Sequence, residues 1–171
     1  MFTIFSLRKG SRPFSDQEKE YLASFLRDYS ALQIGAWLAA VDWPNFEFRW
    51  CPAMTIQNGI MGAFSLIYPR TIFLMEPTFV CATIAAKANR PFWVDVFLPT
   101  IVHELRHVLQ YQRNQILYTL CCLPVLRQLT IERDAKKATD DVAPFAQKWG
   151  CARDREEVRR LSKKTQKNNK E

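Results

Sequence analysis

"GAFSLIYPRTIFLME", residues 62–76, decides how the middle of this chain folds. Two β-rich apolar runs flank Tyr68-Pro69-Arg70, and turn residues between two such runs predict a hairpin. Upstream, "FEFRW" alternates Phe46, Phe48 and Trp50 with charged neighbours, the two-residue period of a half-buried strand. Residues 46 to 76 therefore predict a small, mainly antiparallel sheet. The segments on either side carry helical spacing, so the expected fold class is α+β.

Working outward, "SDQEKEYLASFLRDYSAL" starts with Ser15 and has Glu18 three residues later, the pattern of a capping box. Tyr21, Leu22, Phe25, Leu26 and Tyr29 then recur at helical spacing and predict an amphipathic helix over 16–31. "IGAWLAAVDW" predicts a second helical piece, broken near Gly35 and ended by Pro44. After the hairpin, "TFVCATIAAKAN" (78–89) reads as a helix or helical turn, and Pro99 sits where a first-turn proline starts or kinks a helix over 99–113. The apolar stretch "ILYTLCCLPVL" (116–126) is about half the ~20 residues that a membrane span requires. It is expected to be buried or interfacial, with peripheral membrane contact as one use. Finally, "TIERDAKKATDDVAPFAQKWG" predicts a helix to about Val142, broken near Pro144.

No repeat or linker divides the 171 residues, and residues 1–150 are expected to form a single domain. With 48% apolar and 24% charged residues the composition is that of a globular protein and excludes a disordered chain. The net charge of +7 is concentrated at residues 151–171, where eight basic residues between Arg153 and Lys170 outnumber Asp154, Glu156, Glu157 and Glu171. This basic C-terminal tail lacks interleaved aromatics, so a frayed, solvated end is favoured over a nucleic-acid contact. Five cysteines, with no C-x-x-C pair and no apparent signal peptide, suggest free thiols in a reducing cytoplasm. The neighbouring Cys121 and Cys122 point about 100° apart on a helix, which disfavours a shared metal role.

The helix over 99–113 contains both histidines of the chain, in "TIVHELRHVLQYQ". Residues four apart lie on one helix face, so His103 and His107 can turn ring nitrogens toward one ion. Glu104 lies about 100° around from His103, placed to reach a metal-bound water without being a ligand. A catalytic zinc site uses three protein ligands and keeps one position open. With no third histidine, the missing ligand is a carboxylate or a cysteine brought near by folding. Glu132 is the leading candidate, because Ala135 and Ala138 share roughly its helix face and would let a second helix approach closely. Asp134, Asp140 and Asp141 are shorter and face elsewhere.

The pattern His103-Glu104-Leu105-Arg106-His107, followed by Glu132-x-x-Ala135, resembles the gluzincins, zinc metallopeptidases whose third ligand is a glutamate on a later helix. The stretch from Gly62 to Leu74 is similar to the strand and hairpin that precede the active helix in membrane gluzincins. Together these matches cover about residues 56–142. The sequence departs from that pattern at Gly62, where asparagine is usual, and at Lys136, where those enzymes carry aspartate. It also lacks their membrane-spanning segments.

The resemblance implies a zincin-like fold and a Zn2+ cofactor held by His103, His107 and Glu132, with Glu104 as general base. It also implies an edge strand, Gly62, Ala63 and Phe64, along which a peptide substrate pairs through its main chain. Tyr111, one turn past His107, is a candidate oxyanion support, although a helix-face aromatic packed in the core is the commoner reading. The competing expectation is a non-catalytic zincin-fold protein whose basic tail binds nucleic acid or a protein partner.

Overall fold

The computed structural model describes residues 10–51, 62–64, 70–75, 93–121 and 130–168. The expected helix at 78–89 and residues 120–126 of the apolar run at 116–126 lie outside the residues or side chains described. Helix α1 spans Asp16–Ser30 and begins with the full capping box: Ser15 Oγ accepts from the Glu18 N–H, and Glu18 Oε2 accepts from the Ser15 N–H at 2.7 Å. The exchange satisfies two donors at the helix start that would otherwise have no partner. Leu22, Phe25, Leu26 and Tyr29 are buried on its inner face. The second helical piece is a 3-10 helix, Gln33–Ala40, which runs through Gly35 without breaking there. A Cβ at Gly35 would lie 2.1 Å from the Tyr29 carbonyl oxygen, so this return of the chain onto α1 requires glycine.

The sheet contains β1 (Arg12–Pro13), β2 (Glu47–Cys51), β3 (Gly62–Phe64) and β4 (Thr71–Met75), in the order β1-β2-β4-β3. The expected hairpin is present as the antiparallel β3–β4 pair. The sheet as a whole is mixed and not mainly antiparallel, because its longest pairing, β2 with β4, runs parallel over five residues. Parallel neighbours need a crossover, and the chain from Cys51 to Thr71, which includes β3, supplies it. Trp50 anchors the sheet in the core. It stacks on Phe14 at 4.4 Å, meets Phe97 edge-on at 4.6 Å and donates its indole N–H to Glu18 Oε1 at 3.0 Å. The carboxylate that caps α1 thus also satisfies the one polar atom of a fully buried tryptophan.

A π-helical turn, Trp93–Phe97, leads into α2 (Leu98–Arg113), with Pro99 in its first turn as expected. Short helix α3 follows at Gln115–Cys121, and α4 runs over Ile131–Asn168. The predicted break at Pro144 does not occur. Proline removes the N–H that would bond the Asp140 carbonyl, but Pro144 and Asp140 are both exposed, where water can take over as donor. Val142 and Ala146, both fully buried, hold the helix to the core on either side. The helix continues past residue 150, and Arg153 bonds Ser24 and lies over the Tyr21 and Trp149 rings, tying the start of the basic segment to α1. Among the described residues no helix is long and apolar enough to cross a membrane.

Candidate metal centre

Helix α2 is rotated by its apolar residues. Leu98, Ile101, Val102, Leu105, Val108 and Leu109 are buried in the core, which turns His103, Arg106, His107 and Gln110 toward α4. On α4, Ala135 and Ala138 are almost wholly buried, and with only methyl groups between them the two helices come close enough for polar side chains to meet. Glu132 reaches both imidazoles. Its Oε2 lies 3.2 Å from His103 Nε2 and 3.5 Å from His107 Nε2, and the two Nε2 atoms are 3.1 Å apart. Among the described residues these three form the one group able to hold a metal ion. Tetrahedral bonds of about 2.0–2.2 Å would place neighbouring donor atoms roughly 3.3–3.6 Å apart, close to the separations found here.

The far side of each ring decides which nitrogen carries hydrogen. Thr139 donates its hydroxyl hydrogen to the Ala135 carbonyl at 3.1 Å, so its oxygen accepts from His103 Nδ1–H at 3.2 Å. Gln110 donates from Nε2 to the Ile131 carbonyl at 3.0 Å and to Asp134 Oδ2 at 2.8 Å. Its Oε1 therefore faces His107 Nδ1 at 2.9 Å and accepts that N–H. In their neutral forms both rings are left with an Nε2 lone pair aimed at the same point, joined by a carboxylate oxygen. Such an array is relieved by positive charge placed within it, either a proton or a metal ion, and imidazole and carboxylate donors of this kind suit divalent transition metals. His107 reflects the same demand for positive charge. Burial works against its charged form, but the Glu132 hydrogen bond, the Glu104 charge and Gln110 outweigh it and raise the ring above the ordinary imidazole range.

The other expected site residues are distributed around this point. Glu104 is 5% exposed and close enough to His107 for its charge to act on that ring. Gly62, Ala63 and Phe64 form β3, the last strand in the described sheet order, and this edge strand runs beside α2. Tyr111 packs edge-on against Tyr118 at 5.8 Å in a small apolar cluster with Ile131, the packing role that was its commoner reading. Lys136 is exposed and pairs with Asp140 at 2.9 Å, away from the metal-binding atoms. Asp134 is not a ligand. It takes a bidentate fork from Arg106 at 2.7 and 2.8 Å. That fork outweighs the effect of burial and, with Gln110 and nearby Arg113, holds the carboxyl below the ordinary aspartate range.

Sequence reading missed Gln110, Thr139 and Tyr118. Gln110 lies three residues after His107, and Thr139 lies seven after Glu132, both on the ligand-bearing faces of their helices. Helical spacing could have marked them as neighbours of the site. Tyr118, whose ring is 6.2 Å from that of His107, depends on the turn at Asn114 and had no such signal. It helps wall an apolar cavity of about 360 Å³ with Gln110, Arg113, Asn114, Leu117, Thr130 and Ile131.

No protein-family model matches the chain, and neither the curated proteins nor the solved structures contain a match to it.

Proposed function

We propose that this protein is a zinc-dependent metallopeptidase of the gluzincin type, with His103, His107 and Glu132 as ligands and Glu104 as general base. One observation carries the reading: two imidazole lone pairs and a carboxylate oxygen from two helices meet within 3.1–3.5 Å, and each ring is held in the metal-ready tautomer from behind. Ordinary surface residues have no physical reason to converge in this way. The bound metal would supply an acidified water and polarise the scissile carbonyl.

The chain's own groups account for the rest of the hydrolysis. Glu104 follows His103 directly, and its buried carboxylate takes the proton of the attacking water. As water oxygen bonds to the carbonyl carbon and the C–N bond breaks, Glu104 returns that proton to the leaving nitrogen. Edge strand β3 offers main-chain N–H and C=O groups to an extended substrate beside α2. The cavity around Tyr118 and Leu117 offers space for an apolar substrate side chain.

The test is Glu104→Gln, with zinc content and peptide cleavage measured on the same preparation. The amide keeps the shape and loses the base, so zinc at one equivalent with cleavage abolished is expected. Unchanged turnover would overturn the base assignment. A wild-type protein that takes up zinc but cleaves nothing in a broad peptide library would favour the non-catalytic binding reading.

A further inference from the structure

Gln110 occupies a position that the proposed reaction does not require. Its amide has three partners at once, and they lie on both helices: His107 on α2, and Ile131 and Asp134 at the start of α4. Behind Asp134 stands Arg106, whose guanidinium is gripped by both carboxylate oxygens and lies 5.1 Å over the Trp37 ring. Lys136, at the position where the membrane enzymes carry aspartate, points to Asp140 instead.

We infer that Gln110 is a positioning residue for the metal centre, relaying Asp134 onto His107 and holding that ring with Nε2 free for the ion. The argument follows from the amide's two unlike ends. If Gln110 were flipped, its NH2 would face His107 Nδ1, and its oxygen would face the Ile131 carbonyl and the Asp134 carboxylate. That arrangement loses two hydrogen bonds and sets three acceptors against one another. The Asp134 and Ile131 oxygens thus fix the direction of the amide, and the amide fixes the ring. The Arg106 fork in turn fixes Asp134. A carboxylate too far from the histidine to touch it still sets its tautomer, through one glutamine. Thr139 does the equivalent for His103 with a single hydroxyl, so the two ligands are clamped independently.

This inference rests on the metal-centre reading and not on the peptidase reading, and its test uses zinc alone. Two measurements apply: zinc affinity by competition with a chromophoric chelator, and solvent exchange of the imidazole Nδ1–H protons in the zinc-loaded protein. With two histidines in the chain the signals are simple to assign. In the wild type both Nδ1–H protons should be protected from exchange. Gln110→Leu should weaken zinc binding about 10–100-fold, in the range typical for loss of a partner behind a metal-bound histidine. It should also expose the His107 Nδ1–H while leaving that of His103 protected. Gln110→Glu keeps an acceptor oxygen but loses the NH2 that Ile131 and Asp134 hold and sets a carboxylate against Asp134, so it should leave the His107 Nδ1–H exposed. Full protection in this variant would show that the ring needs only an acceptor and would overturn the relay. Unchanged affinity in a folded Gln110→Leu protein would overturn the relay. So would a freely exchanging His107 Nδ1–H in the wild type, a result that needs no variant to fold. Failure of the wild type to bind zinc at all would overturn the metal centre itself, a distinguishable outcome.

Discussion

The two ends of the well-packed part of α4 are built from opposite materials. At its start, Glu132, Asp134 and Thr139 reach α2 through hydrogen bonds and charge, with the methyl groups of Ala135 and Ala138 as filling and Ile131 packed beside Tyr111. Two to three turns later, Phe145 and Trp149 meet α1 through rings. Phe25 lies 5.6 Å from Phe145 and 5.3 Å from Trp149, and Tyr29 lies 5.5 Å from Phe145. Dispersion and burial of aromatic surface stabilise the second end without specifying any chemistry. The first end does the reverse. Inward-facing lone pairs contribute little to folding by themselves and are costly without a compensating positive charge, yet they define where an ion could sit. A single rigid helix lets the aromatic end hold the polar end in register.

If that division is right, substitutions at the two ends should separate stability from metal binding. The largest stability effect is expected for Phe25→Ala. This fully buried ring touches three others, so about 3–5 kcal/mol should be lost, read as a fall in melting temperature of roughly 2–4 °C per kcal/mol. Zinc affinity of the folded variant should be unchanged, and a parallel loss of affinity would break the comparison.

Next in size is the effect of zinc on the wild type. At a free concentration about a thousandfold above its dissociation constant, zinc should stabilise the protein by roughly 4 kcal/mol. Glu132→Ala should abolish that increment while leaving the chelator-treated protein close to the wild type. A Glu132→Ala protein still stabilised fully by zinc would place the ion elsewhere.

Ala135→Leu tests where the two ends join. The added carbons enter a fully closed helix contact and should cost about 1–3 kcal/mol by overpacking. Unlike Phe25→Ala, this change should also weaken zinc binding, because it moves Glu132 away from the histidines. Retained affinity would mean that the α2–α4 spacing does not control the ligand geometry.

The smallest effect concerns pH, far from the site. Burial pushes Glu18 upward, but hydrogen bonds from the Ser15 N–H, the Trp50 indole and the Ser15 hydroxyl, with Arg12 nearby, bring it below the ordinary glutamate range. A carboxyl with a lowered folded-state pKa contributes stability above its unfolded value and loses it as pH falls through the folded one. Acidification from neutral pH should therefore narrow the difference in melting temperature between the wild type and Glu18→Gln. A constant difference across that range would show that the Glu18 charge does not contribute.

Local patterns in the chain were enough to determine several elements. The capping box, the buried face of α1, the β3–β4 hairpin and the His103–His107 pair each depend on residues a few positions apart, where backbone geometry alone sets who meets whom. Glu132 was within reach of the same reasoning, since the small residues on its face signalled a close helix contact. Tertiary structure decided what local spacing could not. The parallel β2–β4 pairing depends on where a crossover returns, and the survival of α4 through Pro144 depends on which side of the helix faces water. The clamps behind the histidines join residues 21 to 36 positions apart. Hydrogen-bond direction at Gln110 and Thr139 is set by partners on another helix, so the protonation pattern that makes the ligands ready for an ion emerges only once α2 and α4 have packed.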